Sequence, residues 1–289
     1  NVIEQAKRYS KDVIQGSGIW REYKVPFLYA TNGETIHFLD IRNETNIQRE
    51  LLEFHNAVAL DEKFQQEKIN FKTWLDKNPI ENYYNSDKQL YPFQQKAISA
   101  AENAILDQKR EMMLAMATGT GKTFTILSLI YRLLEAKVIK RVLFLVDRKA
   151  LAAQAVTAFS SFSTPHGSKF DKEYEVYSQK FQKEDFDDGA TFNPNVLPNE
   201  YLTNPQPNHS FVYVSTIQRM TINLQGKYSN ISEDDMNEEY EIDAEKLNIP
   251  IHAFDLIVVD ECHRGYTSKE SNIWRDTIKH FDGIKIGLT

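Results

Sequence analysis

Seven consecutive residues, Ala117-Thr118-Gly119-Thr120-Gly121-Lys122-Thr123, constrain this chain more than any other stretch. The apolar run before them (Met112, Met113, Leu114, Ala115, Met116) reads as a short buried strand. The apolar positions after them (Phe124, Ile126, Leu127, Ile130, Leu133, Leu134) share one face of a helix. A strand, a glycine turn and a helix N-terminus together aim backbone N–H groups at phosphate groups. In that setting Lys122 reaches the β/γ-phosphates of a nucleotide and the Thr123 hydroxyl ligates Mg²⁺. Met116 stands where the general pattern has Gly or Ala, and the second glycine, Gly119, keeps the curl tight. The alternative is a glycine-rich surface turn followed by an ordinary helix. The strand before and the helix after favour a nucleotide site.

A nucleotide site of this kind needs an acidic half. Phe254–Val259 (FDLIVV) is an apolar strand that runs directly into Asp260-Glu261-Cys262-His263. Asp260 is the candidate to hold Mg²⁺, through water, and Glu261 the candidate to orient and deprotonate the attacking water. Between the two halves, Arg141–Val146 and Phe211–Val214 are continuous apolar runs of the kind that parallel strands show. The alternation of strand and helix from Met112 to Leu288 predicts an α/β fold with a parallel, doubly wound sheet. Ligands of such sheets bind outside the carboxyl ends of the strands. Arg148 and Lys149, just past Val146, are therefore placed where a phosphodiester could lie, and equally where charges are simply solvated. Tyr91-Pro92-Phe93-Gln94 opens a helix about 27 residues before the phosphate loop, and the Gln94 amide suits the edge of an adenine.

The first part of the chain is organised differently. Residues 1–15 read as a helix, and Thr31-Asn32-Gly33-Glu34 as a hairpin turn of type I′ between Val25–Leu28 and Ile36–Ile41. A helix and a hairpin alone bury no core. Residues 46–87 read as a helical connector with Phe54, Phe64, Phe71 and Trp74 at roughly helical spacing, and Asn78-Pro79 ends that stretch. Residues 161–210 read as loops around one strand near Tyr174–Tyr177. Residues 226–246 carry eight acids against two lysines, the composition of a solvated insertion that repels DNA.

Composition sets limits on all of this. The 289 residues leave room for two domains. A net charge of −7 argues against a chain coated in basic patches, though not against a local basic groove. The single cysteine, Cys262, excludes a disulfide framework and suits a reducing cytoplasm. No run is long enough for a membrane span, and residues 1–10 lack a signal-peptide core. The missing initiator Met and the strand-like ending at Ile284–Thr289 read as those of a fragment.

With both halves of the nucleotide site in view, residues 88–289 resemble a superfamily 2 helicase-type motor. Within that class the chain is most similar to the restriction (R) subunit of type I restriction–modification enzymes. Tyr91–Gln94 resembles the glutamine motif, Leu145–Leu151 with Gln154 motif Ia, and Val214–Arg219 motif Ib. Asp260–Gly265, DECHRG, resembles motif II, and Gly287-Leu288-Thr289 the start of motif III. Gln5 and Tyr9 fit the Gln-x-x-x-Tyr spacing of RecB-type nucleases, and that helix with its hairpin falls where these subunits end their nuclease domain. The resemblance implies a nuclease remnant over 1–45, a connector over 46–87 and a first RecA-like domain over 88–289. It implies ATP and Mg²⁺ as cofactors, with Gln94, Thr118, Gly119, Thr120, Gly121, Lys122 and Thr123 on the nucleotide and Thr123 and Asp260 on the metal. Lys122 and Glu261 are then catalytic and His263 and Arg264 couple the site to motion. DNA contacts fall to Arg148, Lys149, Thr216, Gln218, Gln5 and Tyr9. It also implies duplex DNA, a methyltransferase subunit and a specificity subunit as partners, and cleavage when translocation stalls. The nuclease carboxylates and the second RecA-like domain with its arginine finger are missing from these residues. Two alternatives stand beside this reading: another superfamily 2 translocase of repair or remodelling type, and a non-catalytic ATP-binding adaptor.

Overall fold

The apolar runs at 141–146, 211–216 and 256–259 lie side by side in the computed structural model, which describes residues 2–42, 47–66, 70–85, 88–180, 195–226, 244–263 and 270–289. The first part comprises α1 (Val2–Asp12), β1 (Phe27–Thr31), β2 (Ile36–Asp40), β3 (Arg49–Leu51), α2 (Ala57–Gln66) and α3 (Phe71–Lys77). The second runs α4 (Pro92–Leu106), β4 (Glu111–Leu114), α5 (Lys122–Glu135), β5 (Arg141–Val146), α6 (Lys149–Ser161), α7 (Phe170–Glu173), β6 (Glu175–Ser178) and β7 (Asn195–Val196). It continues through α8 (Asn199–Thr203), β8 (Phe211–Thr216), α9 (Ile217–Gln225), β9 (Leu256–Val259), α10 (Glu270–His280) and β10 (Ile284–Leu288).

Seven strands form the main sheet in the order β4-β10-β9-β5-β8-β6-β7, and every pairing is parallel. Successive side chains on a strand point to opposite faces. Val142, Phe144, Val212, Val214, Leu256 and Val258 accordingly meet α4, α5 and α6 on one face. Leu143, Leu145, Phe211, Tyr213, Ile257 and Val259 meet the side of α9 and α10 on the other. The doubly wound α/β sheet expected from the sequence is therefore the observed fold. One expectation about it is corrected. The strand feeding the phosphate loop is not buried: β4 is an edge strand, with Glu111 and Met113 exposed.

The first part packs against this sheet through its own small antiparallel sheet, β1-β2-β3. The helix α1 covers one side, with Ile3 against Leu28, Ala30 and Leu39. On the other side Phe38 and Leu51 pack with Ile251, which precedes β9. The connector is thus not wholly helical, since β3 lies inside it. The hairpin turn also differs from type I′. Asn32 does not take a positive φ; its side-chain oxygen instead accepts the N–H groups of Glu34 and Thr35 at 3.0 and 2.8 Å, and only Gly33 is left-handed (φ 93°). Residues 161–210 hold short helices as well as the expected strand, β6. Nearly all of the acidic stretch, 227–243, lies outside the described residues.

Because the strands are parallel, their carboxyl ends gather at one edge. That edge carries the loop after β4, Asp147–Lys149 after β5, Thr216 at the end of β8, Asp260 after β9 and Thr289 after β10.

Candidate nucleotide site

The phosphate loop turns from β4 into α5 through two left-handed glycines, Gly119 (φ 79°) and Gly121 (φ 78°). Apart from Gly119 itself and its two chain neighbours, no described residue comes within 4 Å of where a Cβ on Gly119 would stand. At Gly121 the same Cβ would come 2.6 Å from Gln94 Nε2. Gln94 is buried, with only 3 % of its surface exposed, and it braces the loop. Its Nε2 donates to the Thr120 carbonyl at 2.9 Å, and its Oε1 accepts the Tyr91 N–H at 2.9 Å. The second bond closes a capping box at the start of α4. The sequence suggested an adenine reader at Gln94; the structure adds a loop brace that it did not suggest. Thr118, Gly119 and Thr123 are exposed beside the loop, and the Thr120 hydroxyl donates to the Ala117 carbonyl at 2.6 Å.

The acidic half meets this loop across the sheet. Lys122 Nζ lies 3.2 Å from Glu261 Oε1, although 139 positions separate them. Glu261 itself is left-handed (φ 50°), a conformation that is rare for a side chain of its kind and concentrates at functional turns. Its N–H donates to Asp260 Oδ1 at 3.0 Å. Burial raises the Asp260 carboxyl above its ordinary range, and the charge of Glu261 adds to that, against the Glu261 N–H and Lys122. Burial also raises the Cys262 thiol. His263 Nδ1 is 3.4 Å from Glu261 Oε2 and 2.9 Å from Thr289 Oγ1, and the Thr289 carbonyl accepts the Met116 N–H at 2.8 Å. A continuous chain of contacts thus runs from Lys122 through Glu261, His263 and Thr289 back to the entry of the loop. Arg264 lies outside the described residues.

The residues assigned to DNA divide. Arg148 is exposed, 3.3 Å from Asp147, at the start of α6, and Lys149 and Gln218 are half-buried at the same edge of the sheet. Thr216 is placed differently from these. It is buried, its hydroxyl bonds Gln179 Oε1 at 3.1 Å and accepts the Arg219 N–H at 3.1 Å, and its own N–H donates to Gln179 at 2.8 Å. A strand that turns directly into a helix needs a capping hydroxyl there, and Thr216 supplies it. Gln179, the buried partner, follows β6 in a loop and carries no pattern that would have singled it out. Gln5 and Tyr9 stand far from this edge in sequence, exposed on one face of α1 with Gln5 Nε2 donating to the Tyr9 hydroxyl at 2.6 Å.

Residues 87–289 match the family described as "Type III restriction enzyme, res subunit". The chain belongs to this family. Over 314 residues, and across its whole length, it is 31% identical to the type I restriction enzyme EcoKI endonuclease subunit of Escherichia coli K12. Over 96% of its length it is 29% identical to the type I restriction enzyme EcoAI endonuclease subunit of Escherichia coli. It spans 23% and 29% of the lengths of those two relatives. The family's description names type III, whereas both relatives are type I; the resemblance drawn from DECHRG and its neighbouring motifs is to the latter. Among solved structures, a nuclease-deletion mutant of the type ISP restriction–modification enzyme LlaGI with a DNA substrate mimic aligns at a TM-score of 0.42 and 21% identity, over 70% of this chain and 17% of that one. No helix among the described residues is long and apolar enough to cross a membrane.

Proposed function

We propose that residues 88–289 are the first RecA-like domain of a type I restriction-enzyme motor that hydrolyses ATP to move duplex DNA. The observation that carries this reading is the 3.2 Å contact between Lys122 and Glu261, which brings together the phosphate-loop lysine and the acidic pair of a distant strand. A site that only bound nucleotide for structural reasons has no use for a carboxylate held at that place.

The donors fit Mg-ATP. A threonine hydroxyl at 123 and a carboxylate at 260 are hard oxygen ligands of the kind Mg²⁺ takes. The bound ion would neutralise charge on the β- and γ-phosphate oxygens. Lys122 and the N–H groups at the start of α5 hold the phosphates, and Gln94 keeps the loop in its curl. Once Lys122 turns to the phosphates, Glu261 is released to accept a proton from the attacking water. His263 and Thr289 then report the state of Glu261 to the end of β10. Residues 1–45 are assigned to the end of a nuclease domain and 46–87 to a connector. Methyltransferase and specificity subunits, with duplex DNA, are the partners in a cytoplasmic complex.

ATP turnover by the full-length protein, measured with and without duplex DNA, tests the proposal. Turnover stimulated by DNA is expected. Nucleotide binding with no turnover under either condition would favour the non-catalytic adaptor instead.

A further inference from the structure

The amino ends of the same strands carry a second collection of charge. It lies the length of a strand, about 15 Å, from the phosphate-loop edge. A cavity of about 500 Å³ opens there, between the connector and the sheet. Among the described residues, six cationic side chains line it: Arg42, Arg49, Lys63, Lys109, Arg110 and Lys137. Three carboxylates face them, and each is already engaged. Asp40 takes Arg42 through two bonds of 2.8 and 2.7 Å. Asp255 Oδ2 accepts the backbone N–H groups of Lys140 and Arg141 at 2.9 and 3.0 Å. Asp282 alone answers Arg49 at 2.5 Å, Lys63 at 3.2 Å, Arg110 at 3.5 Å and the His55 ring at 2.7 Å.

Among these described side chains positive charge therefore exceeds negative charge, in a place partly closed to water. Burial lowers the Lys63 ammonium below its ordinary range, against the pull of Asp282 and with the push of Arg49 and Arg110. Burial lowers Arg110 in the same way. An anion seated among these groups relieves both. The rim is formed where α4 and α5 end side by side. Each ends in a paired turn: Lys109 N–H to the Ala104 carbonyl with Gln108 to Ile105, and Val138 to Leu133 with Lys137 to Leu134. Glycine is the usual residue at such a turn, yet Gln108 (φ 60°) and Lys137 (φ 56°) occupy these left-handed positions and keep side chains at the cavity mouth. The lining also has an apolar part, Phe71, Ile105, Leu106, Val138 and Ile284. A volume of this size, lined by both cationic and apolar side chains, matches a small organic anion.

We propose that this cavity is a second phosphate site, separate from the Ala117–Thr123 loop, for a small ligand carrying a diphosphate, with the cations on the phosphates and the apolar lining on any attached nucleoside. The test uses the full-length protein with Lys122→Ala, which removes the lysine of the first site, and calorimetric titration with inorganic pyrophosphate and with ADP. Binding of both at one site per chain is expected. Adding Lys109→Glu and Lys137→Asn should weaken it roughly tenfold or more, since charge-assisted bonds are the strong ones. Both lysines are exposed, so an unchanged thermal midpoint without ligand controls for the fold. Tighter ADP than pyrophosphate places the nucleoside on the apolar lining; equal affinities make the diphosphate the whole ligand. Loss of all binding in Lys122→Ala alone, or binding unmoved by the rim substitutions, overturns the proposal. Duplex DNA that binds more tightly than either small ligand, and is lost with the rim substitutions, overturns it as well.

Discussion

Lys122 and Glu261 hold each other in this structure, so each is kept from the work proposed for it until a nucleotide separates them. Lys122→Ala should abolish ATP binding at the Ala117–Thr123 loop, or ATP turnover, while leaving the thermal midpoint close to the parent, because the lost ammonium stands beside Glu261 and not in the core. Unchanged ATP affinity and turnover in the full-length protein would remove the loop from the mechanism. Glu261→Gln should keep Mg-ATP binding and slow hydrolysis by about 10²–10⁴-fold, since the amide bonds water but takes no proton. Single-turnover hydrolysis at the parental rate would put the base elsewhere. Gly121→Ala meets two obstacles, the positive φ and the Gln94 amide at 2.6 Å. The first costs about 1–2 kcal/mol for a residue with a Cβ. Gln94→Ala removes only the second, so the double variant should bind nucleotide better than the sum of the single losses suggests. Strict additivity would mean that Gln94 does not brace the loop.

Whole elements show where sequence is legible and where it is not. Strands β5, β8 and β9 are continuous apolar runs because both of their faces are covered, and such runs can be read without knowing the neighbours. The partner of Lys122 was legible too, since an acidic pair at the end of an apolar strand is a local pattern. The edge position of β4 was not, because strand order depends on which distant strand pairs with it. Nor was the docking of α2. Glu62 looks like a solvated acid in sequence, yet it is buried and forms two bonds to Arg141, Oε1 at 3.1 Å and Oε2 at 2.8 Å, with Lys140 at 3.2 Å. Arg141 in turn begins β5, so this pair joins the connector to the middle of the sheet. Glu62→Ala leaves a buried guanidinium held only by the carbonyls of Ala253, Gln206 and His252 and by Asp255 at 3.7 Å. Those remaining contacts set the expected loss near the low end for a broken buried pair, about 3 kcal/mol, readable by urea unfolding. A loss within the scatter of surface substitutions would show that α2 docks without this pair.

At the scale of the whole molecule, the first part and the sheet meet around Asp282, which lies between α10 and β10 and draws Arg49 from β3 and Lys63 from α2. Burial alone would raise this carboxyl. Lys63, Arg110, His55 and Arg49 together reverse that and hold it well below the ordinary carboxylate range. Two histidines share the junction, and both are lowered. Burial is the main cause for His55, with the pull of Asp282 opposing it, and burial followed by the nearby charges of His55, Arg141 and Lys63 takes His252 down to about 4. All three groups have folded values below their unfolded ones, so the signs agree: each contributes stability that is complete above its unfolded value and is lost as pH falls. For the histidines the loss begins near pH 6.5 and, for His252, runs to about 4; for Asp282 it begins only below about pH 4. Urea unfolding at intervals from pH 7.5 to 4 should therefore show stability that is flat at first and falls from about pH 6.5. His252→Gln cannot gain the proton, so its curve should fall less steeply between pH 6.5 and 4 than the parent's, with little change at pH 7.5. A parent curve that stays flat down to pH 5 would show that these histidines are not held neutral. A His252→Gln curve parallel to the parent's would place the acid sensitivity outside this junction.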